Sequence, residues 1–217
     1  LSPLVGLAAQ GDDGRLGAGL RAGAPGLVRV SDPATLFVAD RPGERLGARI
    51  DELPEGAATA LLLLLPGRGE MLRVNGRGRR TVDRATLASA FGAAATPPAA
   101  LRVEVEEAFL HCAKAVLRAR LWDDTPSDEV DPLELRLRSD VLEAPFQAFL
   151  ARAPFALLAT CDAAGRADLS PRGDPPGFLR ALDERTLLLP DRRGNRLLDS
   201  FSNLLEGPSV ALLALVP

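Results

Sequence analysis

The sequence predicts a mainly β protein with some helices (class α+β), arranged as a small closed barrel with helices packed outside it and present as two related units. Three observations lead to this expectation. Short apolar runs alternate with turn residues such as those of Asp162–Gly165. Longer segments carry apolar residues at helical spacing. A long stretch near the start of the chain also recurs near its end.

The recurrence is a gapless internal repeat. A shift of 151 residues aligns Ser2–Pro66 with Ala153–Pro217, and 25 of the 65 aligned pairs are identical. Shared composition does not produce a register of that length, so we interpret it as a duplication. The first unit is placed at residues 1–125 and the second at 133–217. A linker is expected at 126–132, within the acidic, proline-containing stretch Asp123–Asp131.

The second unit starts with one or two amphipathic helices, which we expect to be interrupted at Pro145 because proline cannot continue a helix. A helix near the end of the unit has a predicted apolar face and ends at Gly207. In chain order, the elements expected in this unit are helical structure over Leu133–Arg152, strands Phe155–Thr160 and Arg166–Ser170, a hairpin of Phe178–Leu182 and Thr186–Leu189, a helix Asn195–Glu206 and a strand Val210–Val216.

The first unit continues beyond the repeat, and this continuation is its back half. We expect residues His111, Lys114 and Arg118 near one face of a helix there. The elements expected in this back half are strands Glu70–Val74 and Arg77–Val82, a helix Asp83–Phe91, a strand Leu101–Glu106 and a helix Ala108–Trp122.

Composition excludes several classes of function. A net charge of −3 argues against a protein that coats nucleic acid. No apolar run approaches the roughly 18 to 20 residues of a membrane-spanning helix, so no membrane partner is expected. Cys112 and Cys161 form no CxxC motif, which favours free thiols in a reducing cytoplasm. One histidine and two cysteines make a structural metal site improbable, and no metal is predicted.

Arginines gather where the last predicted helix begins. Arg192, Arg193 and Arg196 surround Gly194-Asn195, Asn195 is a candidate N-cap, and Ser200 offers a hydroxyl. Together with Arg172 at the end of a strand, this arrangement is typical of a phosphate-binding helix entrance. The alternative for each arginine taken singly is a solvated charge in a turn.

Several stretches carry a resemblance to a known family. They are Ala167–Phe178, Leu189–Arg196, Asp199-Ser200, Arg73–Arg77 and Val105–Ala115, and the specific strings within them are SPRGDPPGF and HCAKA. These segments are similar to the pyridoxamine 5'-phosphate oxidase-like, FMN-dependent flavoproteins, in a bacterial subgroup. The resemblance implies a split β-barrel, usually a homodimer, with FMN at the interface between two barrels. The implied cofactor-binding residues are Ser170, Arg172, Asp191, Arg192, Arg193, Asn195, Arg196 and Ser200 in the second unit and His111, Lys114 and Arg118 in the first.

The first unit differs at the phosphate-binding positions. Glu44 stands where the second unit has Asn195, and its carboxylate would repel a phosphate, although Arg21, Arg41 and Arg45 remain. The second unit has the phosphate-binding front half. The back half of the first carries the side chains of Glu106, His111, Lys114, Arg118 and Trp122. We therefore expect one FMN site shared by the two units, in an intramolecular pseudo-dimer or a homodimer.

The expected function is that of an FMN-dependent oxidoreductase acting on a small molecule that the sequence does not identify. The alternative is a non-catalytic flavin-binding or assembly module. No catalytic residue is assigned, because His111 could equally be a hydrogen-bonded packing residue and Cys112 has no visible general base.

Overall fold

The computed structural model describes residues 4–40, 53–123, 139–192, 198–207 and 209–217. The protein is mainly β with some helices, as predicted. The predicted linker, 126–132, lies outside the described residues. The strands are β1 Leu4–Gln10, β2 Leu16–Ala22, β3 Val28–Asp32, β4 Thr35–Asp40, β5 Ala57–Leu64, β6 Met71–Thr81, β7 Ala99–His111, β8 Phe155–Cys161, β9 Ala167–Gly173, β10 Arg180–Ala181, β11 Leu187–Leu188 and β12 Val210–Leu215. The helices are α1 Arg84–Phe91, α2 Lys114–Ala119, α3 Ala144–Arg152 and α4 Asp199–Glu206.

Seven strands of the first unit form one antiparallel sheet in the order β2-β1-β5-β6-β7-β4-β3. Every residue of β5 is buried, as expected for a central strand that is apolar on both faces. Strand β1 sends Val5, Leu7 and Ala9 into the core of this unit, where Phe37 packs edge-to-face against Phe91 of α1. The predicted closure of this sheet into a barrel stays a prediction.

The second unit has a three-stranded antiparallel sheet in the order β12-β8-β9 and a small hairpin of β10 and β11. The turn between β8 and β9 is tight. Gly165 takes the left-handed conformation (φ 70°), and the Asp162 side chain accepts a hydrogen bond from the Arg166 amide at 2.8 Å. Gly14, at the equivalent place in the first unit, has a φ of 73°.

The two units pack face to face through a shared apolar core that includes Ala8, Leu62, Leu157 and Leu169. Strands β8 and β9 have the bounds of β1 and β2 displaced by 151 residues. The packing is reciprocal. Strand β9, which corresponds to β2 at the 151-residue displacement, lies against β5. Strand β12, which corresponds to β5, lies against β2. Equivalent residues also meet each other, as where Cys161 Sγ lies 3.9 Å from Gln10 Oε1. This is the pattern of an approximate twofold axis. A common origin of the two units stays a prediction.

The back half of the first unit differs from the sequence prediction. Two predicted strands form the single strand β6, and the predicted helix Ala108–Trp122 is wrong, because β7 continues to His111 and α2 has only six residues. Pairing with β6 from Met71 to Thr81 holds the end of β7 extended, which outweighs its helical spacing. A bulge at Asn75/Gly76 takes up the mismatch, and the ideal Cβ position at Gly76 overlaps the carbonyl of Glu104.

Two helix starts also differ from the prediction. Pro145 does not interrupt a helix but lies in the first turn of α3, where its missing amide hydrogen costs nothing. Helix α4 begins at Asp199 with Leu198 as its N-cap. The predicted start of this helix, residues 195–197, and the predicted N-cap Asn195 lie outside the described residues. Its predicted apolar face is also wrong, because Ser200 and Asn203 are buried while Leu205 is 90% exposed.

Across the described ranges, no helix is both long and apolar enough to cross a bilayer.

Candidate functional site

A cavity of about 750 Å³ lies where the two units meet. The first unit lines it with the ends of β6 and β7 and with α2. The second unit lines it with β9, the segment before α4 and the first turn of α4. The volume is within the range of small-molecule and cofactor sites.

Most of the predicted site residues meet around this cavity. His111, Lys114 and Arg118 line it from the first unit. Ser170, Arg172, Asp191, Arg192 and Ser200 line it from the second. The predicted residues Arg193, Asn195 and Arg196 lie outside the described residues. Whether any of these side chains binds FMN stays a prediction.

Two residues of the back half do not line the cavity. Glu106 accepts a hydrogen bond from Arg77 Nε at 3.1 Å, and Arg77 also donates to the Gly165 carbonyl of the second unit. The Trp122 indole donates to the Arg68 carbonyl at 2.6 Å. Both residues therefore make structural contacts next to the cavity and are not part of its lining.

His111 is the last residue of β7, placed opposite Met71 by the strand pairing, and it is 8% exposed. Its Nδ1 lies 3.4 Å from the Cys112 carbonyl oxygen. Burial lowers the pKa of the imidazole, and the positive charges of Arg73 and Arg172 lower it further. The ring is therefore neutral at pH 7, and it can offer a lone pair to a ligand.

Acidification should destabilise the protein through His111. In the unfolded chain the imidazole takes up a proton near its ordinary pKa of about 6.5. The buried ring of the folded protein takes up a proton only at lower pH. As the pH decreases below about 6.5, the unfolded state therefore binds more protons than the folded state, and the free energy of unfolding decreases. Urea unfolding at pH 7.5 and 5.5 measures the difference. His111→Gln should lose less stability over this interval than the parent, and an equal loss in both proteins would contradict the assignment.

Helix α2 rests directly on β9. The ideal Cβ position at Gly173 lies 2.7 Å from the Ala115 carbonyl carbon and closer still to its oxygen, so only glycine permits this approach. Lys114 and Arg118, four residues apart, share one face of α2 and line the cavity. Ala22, the residue equivalent to Gly173 in the first unit, is exposed.

Gly173→Ala should disturb both the fold and the cavity. The added methyl group must push α2 away from β9, and overpacking of this kind costs about 1–3 kcal/mol. The free energy of unfolding, measured in urea, should fall by that amount. Gly11→Ala is the matched control, because the nearest atom there is an exposed Asp13 carboxylate oxygen at 3.2 Å, which can move. Equal stability of the two variants would refute the close contact.

Arg172 is a cation of the cavity that is only partly satisfied by the described residues. Its side chain is 19% exposed, and its guanidinium carbon lies 5.8 Å from the centre of the Phe201 ring. The nearest carboxylate is that of Asp191, 3.9 Å from Nη1, and the buried Nε has no hydrogen-bond partner among the described residues. Burial lowers the pKa of Arg172 and Asp191 partly restores it. A buried donor without an acceptor suits an anionic ligand.

Arg192 differs from Arg172 because it already has a partner. Its Nε and Nη2 donate to the same oxygen of Asp174, at 2.7 and 2.6 Å. Asp174 therefore neutralises much of the charge that the sequence analysis assigned to a phosphate.

A buried ion pair that was not predicted from the sequence lies at the cavity wall. Arg73 of β6 is 2% exposed and forms an ion pair with the buried Asp168 of β9, across the two units. Asp199 lies 3.5 Å from Arg73 Nη2, and the Phe109 ring centre lies 4.9 Å from its guanidinium carbon. The Ser200 hydroxyl donates to Asp168 at 3.2 Å. Burial lowers the pKa of Arg73, while Asp199 and Glu107 oppose the shift.

A signal for this pair was present in the sequence. Arg73 lies between the apolar residues Leu72 and Val74 in a predicted strand, and a charge that becomes buried at such a place needs a partner. The partner could not be identified from spacing, because Asp168 comes from the other unit.

A protein-family model matches most of the second unit. Residues 142–216 match the model of the pyridoxamine 5'-phosphate oxidase family. The match runs from just before α3 to the end of β12 and includes Ser170, Arg172 and Ser200. The sequence matches none of the curated proteins.

Matches to solved structures cover about half of the chain. A HupZ variant from Group A Streptococcus is 18% identical with a TM-score of 0.37, and the match covers 50% of this chain and 89% of that one. A second HupZ structure from Group A Streptococcus is 19% identical, covers 50% and 84%, and has a TM-score of 0.36. A Lactobacillus delbrueckii protein with the provisional name of pyridoxamine 5'-phosphate oxidase is 22% identical, covers 49% and 83%, and has a TM-score of 0.35.

Proposed function

We propose that the cavity between the two units binds FMN and that the protein is an FMN-dependent oxidoreductase of the pyridoxamine 5'-phosphate oxidase-like class. The observation that carries the proposal is the unpartnered, buried guanidinium nitrogen of Arg172 in this cavity. The family match of residues 142–216 supports it.

The charges of the cavity suit a ligand with a terminal phosphate. Its described lining contains five cationic side chains, Arg73, Lys114, Arg118, Arg172 and Arg192, and two carboxylates, Asp191 and Asp199. Asp168 and Asp174, which are not part of this lining, pair with Arg73 and Arg192, so five cations are balanced by four carboxylates among these groups and the remaining positive charge favours an anion. Arg172, with the Ser170 hydroxyl nearby on the lining, would hold the phosphate of FMN, and the predicted Arg193, Asn195 and Arg196 would complete that site. The Ser200 hydroxyl donates its one hydrogen to Asp168 and so would not donate to the phosphate.

The same cavity offers apolar surface for a planar ring. Pro171, Phe178, Pro190, Leu198 and Phe201 line it beside the charged groups. Cofactor sites combine apolar surface with fixed polar groups, and these five residues supply the apolar part of a lining that is otherwise largely polar. These residues would exclude water from the isoalloxazine ring.

FMN, when bound, supplies hydride transfer. The chain would supply orientation and charge. His111, neutral and held at the end of β7, would accept a hydrogen bond or a proton from a ligand, and Lys114 and Arg118 on α2 would stabilise negative charge on the wall supplied by the first unit. We assign no catalytic residue beyond this.

We further propose that one chain makes one such site, as an intramolecular pseudo-dimer of duplicated units. The reciprocal packing of β9 on β5 and of β12 on β2 supports this arrangement. The supply of both cavity walls by the same chain supports it as well.

Titration of the purified protein with FMN tests the proposal. We expect saturable binding with one FMN per chain, followed by flavin absorbance or fluorescence quenching, and weaker binding of riboflavin, which lacks the phosphate. A protein that takes up no FMN would overturn it. Turnover of the loaded protein with a reductant and a panel of small amines or alcohols then separates an oxidoreductase from the alternative, a non-catalytic flavin-binding module.

A further inference from the structure

A second, smaller cavity of about 340 Å³ has all of its described lining in the first unit. It lies between the turn that precedes β3, the end of β4 and the segment that joins α1 to β7. We call this cavity the groove. The lining residues that decide its chemistry are Pro25, Leu27, Arg29, Asp40, Pro97 and Pro98.

Arg29 supplies the positive charge of the groove. Its guanidinium lies against Gly26, where an ideal Cβ would be 2.9 Å from Nη2 and 3.4 Å from Nε, and Gly26 has a φ of 105°. The buried Nε has no hydrogen-bond partner among the described residues. By contrast, Arg77, Arg79 and Arg102 of the same sheet each have a glutamate oxygen within 3.4 Å. A guanidinium that is fixed in place and has an open donor suits a carboxylate.

Asp40 supplies a negative charge close to the same place. The Ala39 amide donates to the Leu27 carbonyl at 2.9 Å, which brings Asp40 alongside Gly26 and therefore near the Arg29 guanidinium. Within the described part of the chain, neither Arg29 nor Asp40 forms an ion pair. The two opposite charges can therefore each receive a charged group of one ligand.

The other walls of the groove are apolar and preformed. Pro25, Pro97 and Pro98 have no amide hydrogen, and their rings fix the backbone around the groove. Leu27 is 2% exposed and belongs to the core of the first unit. A rigid apolar surface beside two opposite charges suits a small ligand that has a carboxylate, an ammonium group and an apolar side chain.

The groove is related to the large cavity by position and differs from it in chemistry. At the 151-residue displacement Leu27 and Asp40 correspond to Phe178 and Asp191, which line the large cavity. Arg29 corresponds to Arg180, which is exposed and does not line that cavity. The charge pair of the groove is therefore specific to the first unit.

We propose that the groove binds a free amino acid with an apolar side chain. Arg29 would bind its carboxylate, Asp40 would bind its ammonium group, and the three prolines would contact its side chain. The volume of the groove is at the lower end of the range of ligand sites, as a ligand of this size requires. This inference is independent of flavin binding, because no residue lines both the groove and the large cavity.

Nuclear magnetic resonance of the ¹⁵N-labelled full chain tests the proposal, with L-leucine as the probe. Leucine should shift the backbone amide signals of Gly26, Leu27 and Asp40 in a saturable way. The amide signals of Lys114 and Arg118, at the large cavity, should not move. Absence of a saturable shift, or shifts confined to the large cavity, overturns the proposal.

Two analogues test the charges of the ligand on the unchanged protein. Leucinamide lacks the carboxylate that Arg29 would bind, and 4-methylpentanoate lacks the ammonium group that Asp40 would bind. Each should bind at least tenfold more weakly than leucine in the same titration, because each loses a charge-assisted contact. Equal affinity of leucine and either analogue contradicts the proposal.

Arg29→Gln removes the positive charge and should weaken leucine binding at least tenfold. Arg180→Gln is the matched control, because Arg180 is the corresponding residue of the second unit, is exposed and lines neither cavity. It should bind leucine as the parent does. Unchanged binding in a folded Arg29→Gln protein, or an equal loss in both variants, refutes the proposal. If Arg29→Gln does not fold, the analogue titration of the parent decides.

Discussion

Asp168→Asn should lower the free energy of unfolding by about 3–5 kcal/mol, since it leaves the buried Arg73 guanidinium without the carboxylate that it contacts. For a chain of this size the melting temperature should fall by about 10 °C. Urea and thermal denaturation followed by circular dichroism measure both effects. The loss should be large because both side chains are almost completely buried, where water cannot replace the missing charge.

Two further variants distinguish the contribution of the Arg73–Asp168 ion pair from the contribution of the nearby carboxylate of Asp199. Arg73→Met combined with Asp168→Leu removes both charges together and should recover much of the stability lost by the single change. Asp199→Asn should cost less than about 1 kcal/mol, because that carboxylate is half exposed and solvent screens it. If Asp168→Asn unfolds at the same temperature as the parent, the pair does not hold the two units together.

Arg172→Ala should weaken FMN binding by about 10- to 100-fold, the loss expected when a charge-assisted hydrogen bond worth about 1.5–3 kcal/mol is removed. The affinity for riboflavin should change much less, because riboflavin has no phosphate for this guanidinium. Arg172→Lys should lie between the parent and the alanine variant, since an ammonium keeps the charge but loses the planar donor pair. Isothermal titration calorimetry with FMN and with riboflavin measures the two affinities.

Arg192→Ala is the internal comparison for that experiment. Its guanidinium already donates twice to Asp174, so its removal should reduce FMN affinity less than the removal of Arg172 does. If FMN binds Arg172→Ala as tightly as the parent, while riboflavin also binds unchanged, the assignment of the phosphate to Arg172 is wrong.

The strands were predictable from the sequence where burial alone decides the conformation. Strands β8 and β12 are continuous apolar runs between turn residues, and the structure has both within one residue of the predicted ends. The end of β7 was not predictable, because its helical spacing of apolar residues is overridden by pairing with β6, where Ala108 and His111 lie opposite Val74 and Met71, 34 and 40 residues earlier in the chain.

Helix α4 was predicted with the wrong face buried for a related reason. Its leucines suggested an apolar contact, but β8 and β9 present Thr160 and Asp168 on the surface that it covers. Asn203 donates to the Thr160 hydroxyl at 3.0 Å and Ser200 donates to Asp168, so the polar side is the buried one. The residues of the cavity could be predicted from the motif resemblance. The Arg73–Asp168 pair could not, because it forms only where the two units contact each other.

The packing of Gly6 against Leu157 has a consequence for how such a chain can change. The two residues correspond at the 151-residue displacement, and the ideal Cβ position at Gly6 lies 2.5 Å from Leu157 Cδ1. In an assembly of identical subunits a substitution there would appear on both sides at once, giving either two colliding leucines or a void between two glycines. When both units belong to one chain, the two corresponding positions can carry different residues. A small residue in one unit can then accommodate a large residue in the other, and the two units can differ in sequence and in role.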